Sequence, residues 1–346
     1  MRRIPLTGLA VIAFTLLGVL PGMPALPLVV ALRAAATGLH LVGEIKIGGE
    51  GGWDYLTVDS AARRLYVSHN SHVVVVDMET GKVVGDIPDT PGVHGIALAP
   101  ELNRGFISNG RGNNVTIFDL KTLKAVATVP TGENPDAIRY DAVSGRVFAF
   151  NGRSKNATAI DAKNGTVAGT ISLPGKPEFS VADGKGKVYV NIEDTSEVVE
   201  IDAAKATVVK KFSLAPCQEP SGLAIDTKSR RLFSVCGNRV MAISDPDAGK
   251  VITTVPIGAG SDGAAFDAAL GYAYSSNGDG TLTVVQSANG KWEVAENIAS
   301  ERGARTIAVD DKTHRIFLPT AKTAASSTGA RASYVPDSFK VLIVGK

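Results

Sequence analysis

The chain has 346 residues, 44% of them hydrophobic and 20% charged, with a formal net charge of +2. This composition supports a sizeable core and excludes disorder as the general state. The near-balanced charge gives no bulk reason to bind nucleic acid or an anionic membrane surface.

In chain order, residues 1–36 come first and read as a signal peptide. Met1-Arg2-Arg3 supplies the positive start, and Leu9 to Leu20 is an apolar run broken only by Thr15 and Gly18. Ala34-Ala35-Ala36 offers a cleavage site, with cleavage after Ala25 as an alternative. The competing reading is an uncleaved anchor helix through Leu32. Removing residues 1–36 takes away Arg2, Arg3 and Arg33 and no acidic residue, so the net charge goes from +2 to −1. The mature chain is then expected to carry no stable membrane anchor and to be periplasmic or secreted.

From residue 41 onward the sequence repeats. Leu56-Thr57-Val58-Asp59 is followed by Leu65-Tyr66-Val67-Ser68, then Val73-Val74-Val75-Val76-Asp77, then Gly81-Lys82-Val83-Val84. The residues matching Asp59 are Pro100, Asp141, Asp183, Asp226, Asp267 and Asp310, at spacings of 41, 41, 42, 43, 41 and 43. Each unit holds four short runs of Val, Ile, Phe and Tyr separated by Gly, Asn, Asp and Pro, which is a strand-and-turn signal. Four strands repeating at this period predict an all-β, seven-bladed β-propeller over 37–346, a fold whose ring leaves few exposed sheet edges. The last unit lacks a fourth strand, whereas Leu41 to Ile47 matches that strand elsewhere. The N-terminal strand is therefore expected to pair with 340–344 and close the ring.

The strings Arg64-Leu65-Tyr66-Val67-Ser68 and Val75-Val76-Asp77…Thr80-Gly81-Lys82-Val83 resemble the repeat of the YVTN (YncE-like) β-propellers, over about residues 40–346. The resemblance implies a secreted or periplasmic propeller used mainly for binding. The third unit is a degenerate copy, and the seventh carries an insertion at 319–338.

In a blade whose innermost strand comes first, the blade-to-blade loop and the second-to-third-strand loop share one face. The aspartates of the Asp59 class fall on the other face, in turns where Asp bonds its own backbone. Five residues before each of them lie Asp54, Gly95, Asp136, Glu178, Ser221, Asp262 and Arg305, with His94 alongside. These are expected around the mouth of the central channel, with Trp53 as the aromatic there and His69 and Glu219 further out. Converging carboxylates bind a hard cation or a basic ligand and shift one another's pKa values. The alternative is a set of solvated strand-entry positions. The insertion belongs to the same face, and long loops in compact domains often act in binding.

Gly258-Ala259-Gly260-Ser261-Asp262-Gly263 formally reads G-x-G-x-x-G, but it leads into a strand rather than a helix, so a dinucleotide site is rejected. There is no P-loop, H-E-x-x-H or G-x-S-x-G, and no catalytic residue is assigned. No cofactor is predicted; a divalent metal, including one shared by His69 and His94, is the case left open. Arg111, Arg139, Arg153 and Arg305 would favour nucleic acid only by clustering. Cys217 and Cys236 fall by register on one face of the fifth blade, within disulfide reach in an oxidising compartment. The expectation is a monomeric binding or scaffold module for a small ligand or protein. The alternative is a propeller enzyme with a channel-mouth metal site of lyase or lactonase type, or a propeller working with a redox partner.

Overall fold

The computed structural model describes residues 37–324 and 333–346. The predicted signal peptide and the middle of the insertion lie outside the described residues. Alternating apolar positions in each short run make strands with one buried face towards each neighbouring blade. In the first blade these are Leu56–Asp59, Arg64–His69, His72–Asp77 and Val83–Ile87, paired in that order. The described residues form seven such four-stranded antiparallel sheets, and the chain is a seven-bladed β-propeller.

The last sheet runs Ala308–Val309, Ile316–Thr320, Lys340–Gly345 and, outermost, His40–Lys46. His40 faces Gly345 and Lys46 faces Lys340, so the N-terminal strand closes the ring. Because the second strand of this blade continues to Thr320, the insertion begins after it rather than at Pro319.

The core is distributed over seven seams between blades. Between the first and second, Tyr66, Val73 and Val75 pack on Ile107 and Phe118, all fully buried. The closing seam joins Ile45, Leu65 and Val67 to Phe317, Phe339 and Val341.

On one face the aspartate turns are self-satisfied: Asp59 Oδ1 accepts from the amides of Ala61 and Ala62 at 3.0 and 2.9 Å. The same face is laced across blades. Arg64, Arg104 and Arg146 donate to the carbonyls of Leu120, Ala162 and Ala203, and Arg63 pairs with Asp310 at 2.6 Å. The turn aspartates are thus structural.

Candidate functional site

The opposite face is built from the first residues of the innermost strands. Their backbones are clamped by hydroxyls of the neighbouring blade. Thr306 Oγ1 donates to the Asp54 carbonyl at 2.7 Å, Ser108 Oγ to that of Asp136 at 2.5 Å, and Ser276 Oγ to that of Arg305 at 2.6 Å. The Asp54 amide in turn donates to Ser68 Oγ at 2.8 Å. Clamping of this kind fixes side chains from different blades at one opening.

Those side chains form one charged network. His94 Nδ1 lies 2.5 Å from Asp54 Oδ2 and 3.6 Å from Asp136 Oδ1. Arg305 Nε donates to Asp262 Oδ2 at 2.8 Å, and its Nη2 stands 3.9 Å from Asp54 Oδ1. Lys176 Nζ pairs with Glu178 at 2.6 Å and also bonds Glu193. Asp54, His94, Trp53 and Arg305 line a cavity of about 530 Å³, together with Tyr334 of the insertion and, at its rim, Arg111 and Arg153. Asp136 and Asp262 stand against the lining residues His94 and Arg305, and Glu178 adds its charge to both His94 and Asp136.

The carboxylates outnumber the cations held against them. Burial pushes the Asp136 carboxyl up; the neighbouring His94 charge pulls it back, and Asp54 and Asp262 add to the rise. Burial followed by the Asp136 charge likewise raises Glu178 against the pull of Lys176. Asp262 is raised by burial and by Asp54. For His94, burial works against the charged ring. The Asp54 hydrogen bond and the charges of Asp136, Asp54 and Glu178 outweigh it and hold the imidazolium up to about 9. Among the described residues Oδ1 of Asp136 is buried with no hydrogen-bond partner, an acceptor left open in this network.

The other predicted positions separate from this group. His69 is buried in the closing seam, stacked on Phe339 at 4.5 Å, with Nδ1 3.3 Å from His72 Nε2. It is not gathered with His94, so the two histidines left open as a metal pair are not brought together. The three groups able to converge on an ion are Asp54, His94 and Asp136, with ligand atoms within 4.8 Å of one another. Glu219 is exposed and does not line the mouth cavity; its amide donates to Ser196 Oγ at 3.3 Å. Trp53 has two roles, since it is buried against Phe339 and Tyr334 at 5.4 and 4.9 Å yet carries the Arg305 guanidinium over its ring at 5.8 Å. The preceding residue sits close under the insertion: a Cβ on Gly52 would meet Tyr334 at 3.2 Å.

Asn109, Asn151 and Asn277 are fully buried and bond Thr116, Thr158 and Thr283 of the next strand, acting as staples inside blades. Of the four arginines, Arg111, Arg153 and Arg305 line the mouth and Arg139 does not. Lys176 and the rim role of Tyr334 were not foreseen; the only signal for Lys176 is its place two residues before Glu178. Cys217 and Cys236 form the expected disulfide, with Cα atoms 5.6 Å apart, buried in the seam between the fourth and fifth blades. Among the described residues no helix is long and apolar enough to cross a membrane.

Charged side chains from six blades thus converge on one end of a propeller channel. No family model matches the chain, and no curated protein matches it. Among solved structures it is similar to Kuenenia stuttgartiensis hydrazine synthase, with a TM-score of 0.68 and 14% identity, over 83% of this chain and 96% of that one. At that identity the likeness shows the fold alone.

Proposed function

We propose that this chain is an exported binding propeller that uses its channel mouth to hold a small polar ligand with a positive group. The observation that carries this reading is the excess of partly buried carboxylates around the cavity. Asp54, Asp136, Glu178 and Asp262 repel one another, as the raised carboxyls reflect, and a ligand cation placed among them relieves that repulsion. Arg111 and Arg153 at the rim are of opposite sign, so a ligand with its positive end inward and a negative end outward gains at both. The repeat strings support placement among the YVTN (YncE-like) propellers, and the buried disulfide supports an oxidising compartment.

Calorimetric titration with arginine and putrescine, and with 1,4-butanediol as the uncharged control, tests the reading. A cation should bind with a stoichiometry of one and lose about tenfold or more in affinity in D136N, while the diol stays silent. Cations that give no heat, or that titrate wild type and D136N alike, would overturn it.

A second reading rests on the Asp54, His94 and Asp136 ligand atoms, which could hold a divalent ion for Lewis-acid chemistry. Such an ion must displace the proton that His94 retains up to about 9. One equivalent of Zn²⁺ bound more tightly at pH 9 than at pH 6.5, and lost in H94Q, would favour this reading.

A further inference from the structure

Below the mouth, the channel carries a second cavity of about 260 Å³, and Arg139 is the only charged side chain among the described residues lining it. Two residues before each Asp59-class position the other blades carry Thr57, Leu98, Val181, Ala224, Ala265 and Ala308. The register therefore calls for a small or apolar side chain where the third blade has a guanidinium. Arg139 Nε and Nη2 both donate to the Ser180 carbonyl, at 3.0 and 2.7 Å, and its Cζ lies 5.5 Å over the Phe179 ring. No carboxylate pairs with it among the described residues. Among the described residues its Nη1 hydrogens and one on Nη2 have no protein acceptor, which leaves donors available along the cavity. Burial alone lowers its guanidinium to about 10, with no acidic neighbour to offset the shift. The surrounding wall is apolar: Ile138, Val181, Leu223 and Ile225 among others. Tyr55 lines this chamber; its ring packs edge-on to Phe179 at 5.0 Å, while burial and the mouth carboxylates raise its phenol.

We infer that the channel holds a small organic carboxylate with a short apolar body, paired to the free edge of the Arg139 guanidinium. A planar fork with unused donors matches a carboxylate, and the apolar wall takes the rest of the ligand. At about 30 Å³ for each water-sized group, the chamber holds roughly nine of them, which accommodates butyrate or benzoate and excludes a long fatty chain. This site is separate from the cation site proposed for the mouth, and neither stands or falls with the other.

Titration of the full chain with benzoate and butyrate, followed by calorimetry and by melting temperature, tests the inference. Wild type should bind one equivalent and melt several degrees higher with ligand, and chloride at equal ionic strength should do neither. R139L should lose about ten- to a hundredfold in carboxylate affinity, the loss expected for charge-assisted hydrogen bonds. Without ligand it should melt no lower than wild type, because the half-buried guanidinium it removes has no carboxylate partner among the described residues. The variants D136N and E178Q should retain carboxylate binding. Absence of binding by both carboxylates, or equal binding by wild type and R139L, overturns the inference. An unliganded R139L that melts well below wild type would make Arg139 a structural group and would also overturn it; R139K then checks that the loss follows the Ser180 hydrogen bonds.

Discussion

His69 and His94 are held in opposite protonation states by their surroundings. His69 sits against Phe339, and burial, followed by the charge of His72, lowers its imidazole to about 4. His94 faces carboxylates and keeps its proton up to about 9. For His69 the folded value lies below the ordinary one near 6.5, so the folded chain binds fewer protons than the unfolded chain. The stability it contributes is present above pH 6.5 and is lost as pH falls towards 4. His69→Phe should flatten that acid arm by up to about 3 kcal/mol, read from denaturant unfolding at pH 7 and pH 4. Equal acid sensitivity in wild type and variant would contradict the assignment. The strand-end position of His69 was legible in the sequence. Its burial was not, because Phe339 reaches it from the far end of the chain and no local pattern encodes that contact. Arg139 was legible only as a basic residue; its isolation in the channel depends on the side chains that the other six blades place beside it.

At the scale of the strand, ring closure joins elements almost three hundred residues apart. Thr37 Oγ1 donates to Glu296 at 2.5 Å, Leu39 and Ile45 are buried, and Lys340 bonds Glu44 at 2.7 Å. Deleting residues 37–48 removes the burial of Leu39 and Ile45, together worth about 3–6 kcal/mol, and bares the edge of Lys340–Gly345. The truncated chain should melt lower and less cooperatively by calorimetry; a melt matching the intact chain would contradict closure as a source of stability. This strand was readable in advance because Leu41 to Ile47 repeats the fourth-strand pattern that the last unit lacks. The disulfide was readable for the same reason, as register alone brings Cys217 and Cys236 to adjacent strand ends. A closed loop of 19 residues stabilises by about 3 kcal/mol in the chain-entropy model. The insertion was harder to read: its length marks it as unusual, but nothing in its Ala- and Ser-rich sequence places Tyr334 on Trp53.

Across the whole molecule, the repeat fixes where each blade begins its inner strand, and sevenfold closure turns that position into a ring. Asp54, Asp136, Glu178, Asp262 and Arg305 each come from a different blade, and the contact of Arg305 with Asp54 crosses the closing seam. Their shared position five residues before the turn aspartate made the ring legible. Which of its members pair with one another was not, since Lys176 enters from the loop before its strand and His94 reaches across to Asp54 of the neighbouring blade. The proposed function depends on these groups acting as one acidic site, and His94 reports their summed field from within. The most direct measurement is an NMR titration of the His94 imidazole in the intact protein. It should show a pKa near 9 that falls towards 6.5 in D54N, where the hydrogen bond and one charge are lost. An ordinary value near 6.5 in the wild type, unchanged in D54N, would mean that the mouth carboxylates do not act together and would contradict the account.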